Sequence, residues 1–504
     1  MLKLAEKNRK WWILLAMSSS LALVFIDQTA LAVALPAIQR ELNLSNSLSQ
    51  WVINAYLLAL SAIILLGGKI GDRLGHKRAF LAGVIVFITA STLAALAESG
   101  AWLITARAIQ GIGAAFMMPS TNALVTNAFP AQERGKALGI YIALATIFLA
   151  LGPLLGGFLT QVFSWRAVFW INFPIALISI ILAISSVPTW RRREKLNIDY
   201  LGFFISVIFI SGFVLGFMEA PNWGWTSLPI MGLFLLSIIS LITFIGWEKK
   251  IPHPLVELTL FKNLTFTTLF SVLLIIQAVA IVFLFLAFFL LNVLHYSLFM
   301  AGLLLLPAMV PIMLMAPVGG HLRDKYGPTL PMFCGALLVV LSLIWIAIFS
   351  HNRGYAWLFP GLLVYGIGMP LILSGIMATV MNMVNAQQRG MASAIFNCAR
   401  QFGNTIGLAL LTGLLASVNK WQLNSFLHHS PVPLSRLKEQ QIDGLLVQSD
   451  QAMKAIAHLS LAHIELLKTA ALNAYTNAFS MTLLAAAILA FLSLFLILKI
   501  PRKQ

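Results

Sequence analysis

Asp27 is the residue with the most chemistry to offer. It lies within the apolar run 12–35, in the stretch Asp27-Gln-Thr-Ala-Leu-Ala-Val-Ala-Leu-Pro36. Of the 16 Asp and Glu residues it alone stands well inside a run long enough to cross a bilayer. Glu219 falls at the outer end of another run, and the rest lie in loops or at water-facing run ends. A carboxylate near the middle of a membrane costs roughly 2.5–3.5 kcal/mol on insertion scales, so it faces a cavity, finds a partner or carries a proton.

A partner is available. In Leu103-Ile-Thr-Ala-Arg107-Ala-Ile-Gln110-Gly111 the helical repeat puts Arg107, Gln110, Gly111 and Ala114 on one face. At 1.5 Å per residue Arg107 lies roughly 8 Å, and Asp27 roughly 12 Å, from the same membrane surface. If the two faces meet, the guanidinium stabilises the ionised carboxylate, whereas an occluded apolar site favours the acid; that opposition makes a switch. A permanent structural ion pair is the alternative. A second polar face follows i, i+3, i+4, i+7 at Asn397, Arg400, Gln401 and Asn404. Because lipid leaves polar groups unsatisfied, this face is expected to line a central cavity; hydrogen bonding between helices without substrate contact is the competing reading.

The elements that must hold these residues are membrane-spanning helices. The 504-residue chain is 60% hydrophobic and 10% charged, far more apolar than a soluble domain. Fourteen apolar runs, from 12–35 to 478–498, have spanning length. The net charge of +17 reports topology and not a nucleic-acid partner, because Lys and Arg collect in alternate connections, as at Arg191, Arg192, Arg193, Lys249 and Lys250. The positive-inside rule then puts both termini in the cytoplasm. The basic start followed by an apolar run is not a signal peptide, since the run is too long and continues through Asp27 and Pro36. Cys334 and Cys398 fall in spans, and the 9 histidines form no ligand set, so neither a disulfide framework, a metal nor a cofactor is expected.

The chain also repeats itself. Gly68, Ile70, Asp72, Arg73 and Gly75 return as Gly320, Leu322, Asp324, Lys325 and Gly327, each displaced by the same 252 positions. Gly111, Gly113 and Arg134-Gly135 return 255 positions later as Gly366, Gly368 and Arg389-Gly390. Two related halves follow: 1–187, and 265–504 with a long outer loop at 417–470. Between them, 188–264 carries an inserted helix pair. The glycines of Gly-x-x-x-Asp-Arg-x-Gly let two helices meet at a tight corner, while Asp and Arg bind backbone ends or each other.

These motifs resemble the major facilitator superfamily, and in particular its fourteen-helix drug:proton antiporter branch of the EmrB/QacA type. The likeness rests on the repeated loop motif, on Asp27, Thr29, Ala34, Leu35 and Pro36 of the first helix, and on Trp51 to Tyr56. It rests also on Arg107-x-x-Gln110-Gly111, on Gly152-Pro153-x-x-Gly156-Gly157 with Ser164-Trp-Arg166 and Asn172-Phe-Pro174, and on Arg400 with Gly403. It implies an all-α major facilitator fold of two six-helix halves plus the inserted pair, and proton coupling at Asp27 and Arg107. It implies a substrate cavity at Gln110, Asn397, Arg400, Gln401 and Asn404. Gating falls to Gly68, Asp72, Arg73, Gly75, Arg134, Asp324 and Gly327, with Arg134 reaching Asp72. Ala301 to Gly319 has no acid where some cation-exporting relatives carry one, which counts against dications as substrates.

The expected function is proton-coupled export of amphipathic organic compounds from a cell inner membrane. The alternative is a dedicated exporter of one anionic metabolite or siderophore-like compound, suggested by Arg107 and Arg400 against one buried acid. An embedded enzyme lacks a cluster of convergent nucleophile and base, and a non-transporting sensor is the remaining class. Met453, Ile456, Leu459 and Ile464 suggest an amphipathic outer helix in 417–470, a face on which a periplasmic adaptor protein meets some relatives.

Overall fold

The computed structural model describes residues 8–188, 199–429 and 461–500. It is helical almost throughout and has no strand among the described residues, as the bilayer demands of an apolar chain whose backbone groups must pair within each segment. The first six spans are α1 (Arg9–Glu41), α2 (Asn46–Leu74), α3 (His76–Ala95), α4 (Gly100–Ala128), α5 (Arg134–Val162) and the short α6 (Ala167–Trp170) running into α7 (Asn172–Ser186). Next come α8 (Tyr200–Trp223) and α9 (Leu228–Glu248). The last six are α10 (Leu264–Ala280) continued by α11 (Val282–Asn292), then α12 (Leu298–Tyr326), α13 (Thr329–Phe349), α14 (Tyr355–Met383), α15 (Arg389–His429) and α16 (Leu461–Leu498). Counted as spans, 14 helices among the described residues are long and apolar enough to cross a membrane.

Polar residues at the helix ends set where several of them begin. Ser45 and Ser99 accept the amides of Leu48 and Trp102, Asn263 accepts those of Thr265 and Phe266, and Asp199 accepts that of Gly202, each satisfying an otherwise orphaned donor. The corner between α2 and α3 is made by Gly75 at φ 96°, and the corresponding corner after α12 by Gly327 at φ 82°. Both lie in the left-handed region that glycine enters without penalty.

Within the first group α4 packs on α2 and α3, and α1 on α5 and α7; within the last, α14 packs on α12 and α13, and α10 on α15. The groups meet where α5 crosses α12 and α2 crosses α15. Helices α8 and α9 pack mainly on each other, with α8 touching α2 and α15. The connection after α9 is tied below the loop motif, because Lys69 Nζ donates to the Pro254 carbonyl at 2.5 Å and Gln388 donates to Glu257.

Two expectations change at the far end of α15. The connection expected at 417–470 is shorter between helices, because α15 continues to His429 and α16 starts at Leu461. Nothing in these flanks breaks a helix, and their polar side chains pair across the gap, Asn477 Nδ2 donating to Gln422 Oε1 at 2.8 Å. Of the outer apolar stripe, Met453, Ile456 and Leu459 lie outside the described residues, whereas Ile464 belongs to α16.

Candidate functional site

Four helices besides α1 converge on Asp27, directly or through one intermediate. Arg107 Nη1 donates to Asp27 Oδ2 at 2.5 Å, and Gln110 Nε2 donates to Oδ1 at 2.9 Å, so the i, i+3 pair of α4 grips both oxygens. Asn172 Nδ2, at the start of α7, reaches Oδ1 at 3.0 Å and Ser91 Oγ of α3 at 3.0 Å. From α2, the Val52 carbonyl accepts Arg107 Nε at 3.1 Å. The Tyr56 ring, one turn on, lies 4.4 Å from the guanidinium carbon, a cation–π contact that is worth about 2 kcal/mol when desolvated. Asp27, Gln110 and Asn172 are 0% exposed. Such an ion pair holds because both carboxylate oxygens have donors, and removing one partner strands a buried charge at a cost of about 3–5 kcal/mol.

Small residues let this cluster form. Gly152 packs on Thr29 and Gly156 on the backbone of Ala30, where an added side-chain carbon would lie 2.6 Å from the Ala30 Cα. The Gly152-Pro153-x-x-Gly156-Gly157 stretch of α5 thereby fixes α1 less than a turn beyond Asp27, while Gly157 faces Val33 more loosely and Pro153 lies on an exposed part of the helix. The same device recurs in α15, whose Gly403 and Gly407 pack on the backbone of Leu274 and Ala278 in α10.

Between the two groups lies a cavity of about 350 Å³. Asn397, Arg400, Gln401 and Asn404 all line it, together with Gln28, Asn122, Tyr141, Thr146 and Gln277. Gln110 does not: its amide is consumed by Asp27 and Arg107, which corrects its expected place in the cavity wall. Asp27 itself is sealed off from the cavity. Tyr56, fully buried, has the Asp27–Arg107 pair on one side and lies near Gln28 and Arg400 of the cavity wall.

At the end that carries the loop motif, the halves are joined crosswise. Asp72 accepts the amides of Gly390 and Met391 at 2.8 and 2.7 Å, so a carboxylate of the first group caps the start of α15. Asp324 accepts the amide of Lys136 at 3.2 Å at the start of α5. Arg134 donates to Asn382 at 2.7 Å, and Arg389 donates to Asn127. Each bond thus has its image 252–255 residues along. The expected Arg134–Asp72 contact is not formed: Asp72 has a better partner in a helix terminus of the opposite group, and Arg134 reaches across to Asn382. Gly68 meets the Gly390 carbonyl and Gly320 that of Gly135, with no room for a side chain at either crossing. Arg73 lies beside Lys69, Asp72 and Glu257 in the adjoining cleft.

Asn172, Tyr56, Ser91 and the Val52 carbonyl were not legible as site groups, because neutral residues carry no mark of what they will touch. Glu248, read as a water-facing helix end, is 4% exposed and accepts the Val256 amide at 3.2 Å. Among the described residues no group of three or more His, Cys, Asp or Glu could hold a metal ion.

Comparison with known proteins agrees with this architecture. The chain is 32% identical to the multidrug resistance protein Stp of Mycobacterium tuberculosis over 426 residues, 84% of this chain and 79% of the relative. It is 31% identical to the tetracenomycin C resistance and export protein of Streptomyces glaucescens over 418 residues, 82% and 77% of the two chains. Among solved structures, the proton:xylose symporter XylE bound to 6-bromo-6-deoxy-D-glucose superposes with a TM-score of 0.60 at 15% identity, covering 96% of this chain and 95% of that one. The human organic anion transporter MFSD10 gives 0.58 at 13%, covering 97% and 98%. Residues 17–408 match the family outright, and the chain belongs to the Major Facilitator Superfamily.

Proposed function

We propose that this protein exports amphipathic organic compounds by alternating access, in exchange for protons taken up at Asp27. The observation that carries this reading is the Asp27 cluster. The one acid deep in the spans is held by donors from α4 and α7, and Arg107 by α2, so a change in its charge loosens the packing of several helices at once. Stp and the tetracenomycin protein, named for multidrug resistance and for export, support drug efflux as the class of cargo.

Proton and substrate influence each other through Tyr56 and not by sharing one pocket. Protonating Asp27 removes the charge that holds the Arg107 guanidinium, on which the Tyr56 ring lies, and that ring is a neighbour of the cavity wall. With the positively flanked, latched end in the cytoplasm, both termini lie on the cytoplasmic side of an inner membrane, and the crosswise bonds hold that side shut. The units 1–187 and 265–504 then rock about the cavity, with 188–264 riding on α2 and α15. This is a population shift between conformers.

Energetically one charge suffices: crossing 100 mV releases roughly 2.3 kcal/mol, which sustains about a 40-fold gradient of a neutral compound. In reconstituted vesicles, Asp27→Asn should abolish pH-driven efflux while leaving membrane insertion intact, since the amide keeps an acceptor for Arg107. Undiminished antiport by that variant rejects the assignment.

A further inference from the structure

We propose that the central cavity is built for amphipathic compounds that carry an oxyanion, a carboxylate or a sulfonate, with Arg400 as its counterion. The inference rests on the export reading above and adds the charge class of the cargo to it.

Arg400 is the one charged residue among those lining the cavity, where no Asp or Glu stands. Its counterpart in the neighbouring cluster, Arg107, is neutralised by Asp27 at 2.5 Å. Arg400 is treated otherwise. Its Nε is buried without a hydrogen-bond partner, and its Nη2 meets the Met118 thioether at 3.9 Å. The Phe25 ring lies 5.8 Å from its guanidinium carbon. A guanidinium carries five N–H donors in a planar fork, and a weak sulfur acceptor with one aromatic face leaves most of that capacity unused. Arg400 is half-buried with its Nε fully enclosed, and a charge held away from bulk water is ordinarily paired, so this one is positioned for an acceptor that arrives with the cargo. A carboxylate or sulfonate matches the fork in a bidentate pair.

The rest of the lining fits an amphipathic body attached to that head. Gln28, Asn397 and Asn404 supply neutral donors and acceptors, and Leu21, Ile142 and Phe396 supply apolar surface. A cationic compound would meet Arg400 with no acid in the wall to offset the repulsion, and a neutral one would leave the guanidinium unpaired.

The test uses the purified full-length protein in detergent and a matched pair of probes, a coumarin carboxylate and its methyl ester, with binding read by fluorescence. The wild type should bind the acid at least about tenfold more tightly than the ester. Arg400→Gln should weaken the acid by about a hundredfold, the cost of truncating one partner of a buried charge pair, and leave the ester within about threefold. Arg400→Lys, which keeps charge but loses the fork, should fall between. Ester binding by the variants reports that they are folded, and should Arg400→Gln fail to fold, the wild-type preference and Arg400→Lys decide the matter. A wild type that takes the ester as tightly as the acid, or takes neither, overturns the proposal, as does an Arg400→Gln variant with unchanged preference. Loss of pH-driven flux with the binding preference intact would strike the export reading and leave this one standing.

Discussion

At the scale of single residues, the Asp27 cluster separates groups that hold the carboxylate from groups that only enclose it. Asn172 bonds both Asp27 and Ser91 through one nitrogen, so Asn172→Leu leaves two buried acceptors short of a donor, a loss of about 1–3 kcal/mol for each unsatisfied group. The Tyr56 hydroxyl makes no hydrogen bond of ordinary geometry, with only the Gln28 side chain close to it, and Tyr56→Phe keeps the ring on Arg107, so it should be neutral to within about 0.5 kcal/mol. Thermal unfolding in detergent checks the contrast: the midpoint should drop for Asn172→Leu and stay for Tyr56→Phe. Equal losses would mean that the tyrosine hydroxyl has a role the geometry denies it. The same cluster marks the limit of reading the chain alone. Asp27 and Arg107 were legible because charge inside an apolar run is costly, and the i, i+3 spacing put Gln110 on the face of Arg107 without showing that its amide would go to Asp27 instead of the cavity. Asn172 was visible only as part of a motif, since a neutral amide in a membrane helix is cheap and its depth relative to Asp27 depends on how α7 is seated.

At the scale of elements, the crosswise latch gives the sequence repeat a mechanical meaning. A carboxylate at a helix N-terminus is worth about 0.3–1 kcal/mol when exposed and up to about 2 when partly buried, and Asp72 and Asp324 each cap a helix of the other group. On the proposed alternating access, losing one should therefore shift the balance between shut and open conformers by about 2- to 30-fold, without touching the cavity. Asp72→Asn should slow turnover while substrate affinity stays nearly unchanged, and cysteine pairs placed across the α2–α15 crossing should cross-link less. A pure loss of affinity would move the loop motif into the binding site instead. The offset of 252 announced that these motifs were equivalent, but not that they bind each other's helices. Periodicity records which face of a helix is polar and is silent on which terminus lies opposite, and for that reason Arg134 was assigned to Asp72 when Asn382 was its partner.

At the scale of the whole molecule, fourteen apolar lengths settled the architecture in advance, while on the proposed mechanism the charge moved per cycle would depend on two residues that no length reveals. If a proton enters through Asp27 as a monoanion leaves past Arg400, two charges move in the direction an inside-negative potential favours. For a neutral compound one moves, and for a monocation none. At roughly 2.3 kcal/mol per charge per 100 mV and about 1.4 kcal/mol per tenfold, the potential alone sustains gradients of about 40-fold for the ester and about 2,000-fold for the acid. Liposomes with an imposed potassium diffusion potential and equal pH on both sides test this directly. The coumarin carboxylate should be extruded electrogenically and more steeply with voltage than its ester, and Asp27→Asn should reduce the carboxylate's charge movement from two to one or stop it. Voltage-independent extrusion of the acid would mean that its charge is balanced by a further ion, and the one-proton exchange would have to be abandoned.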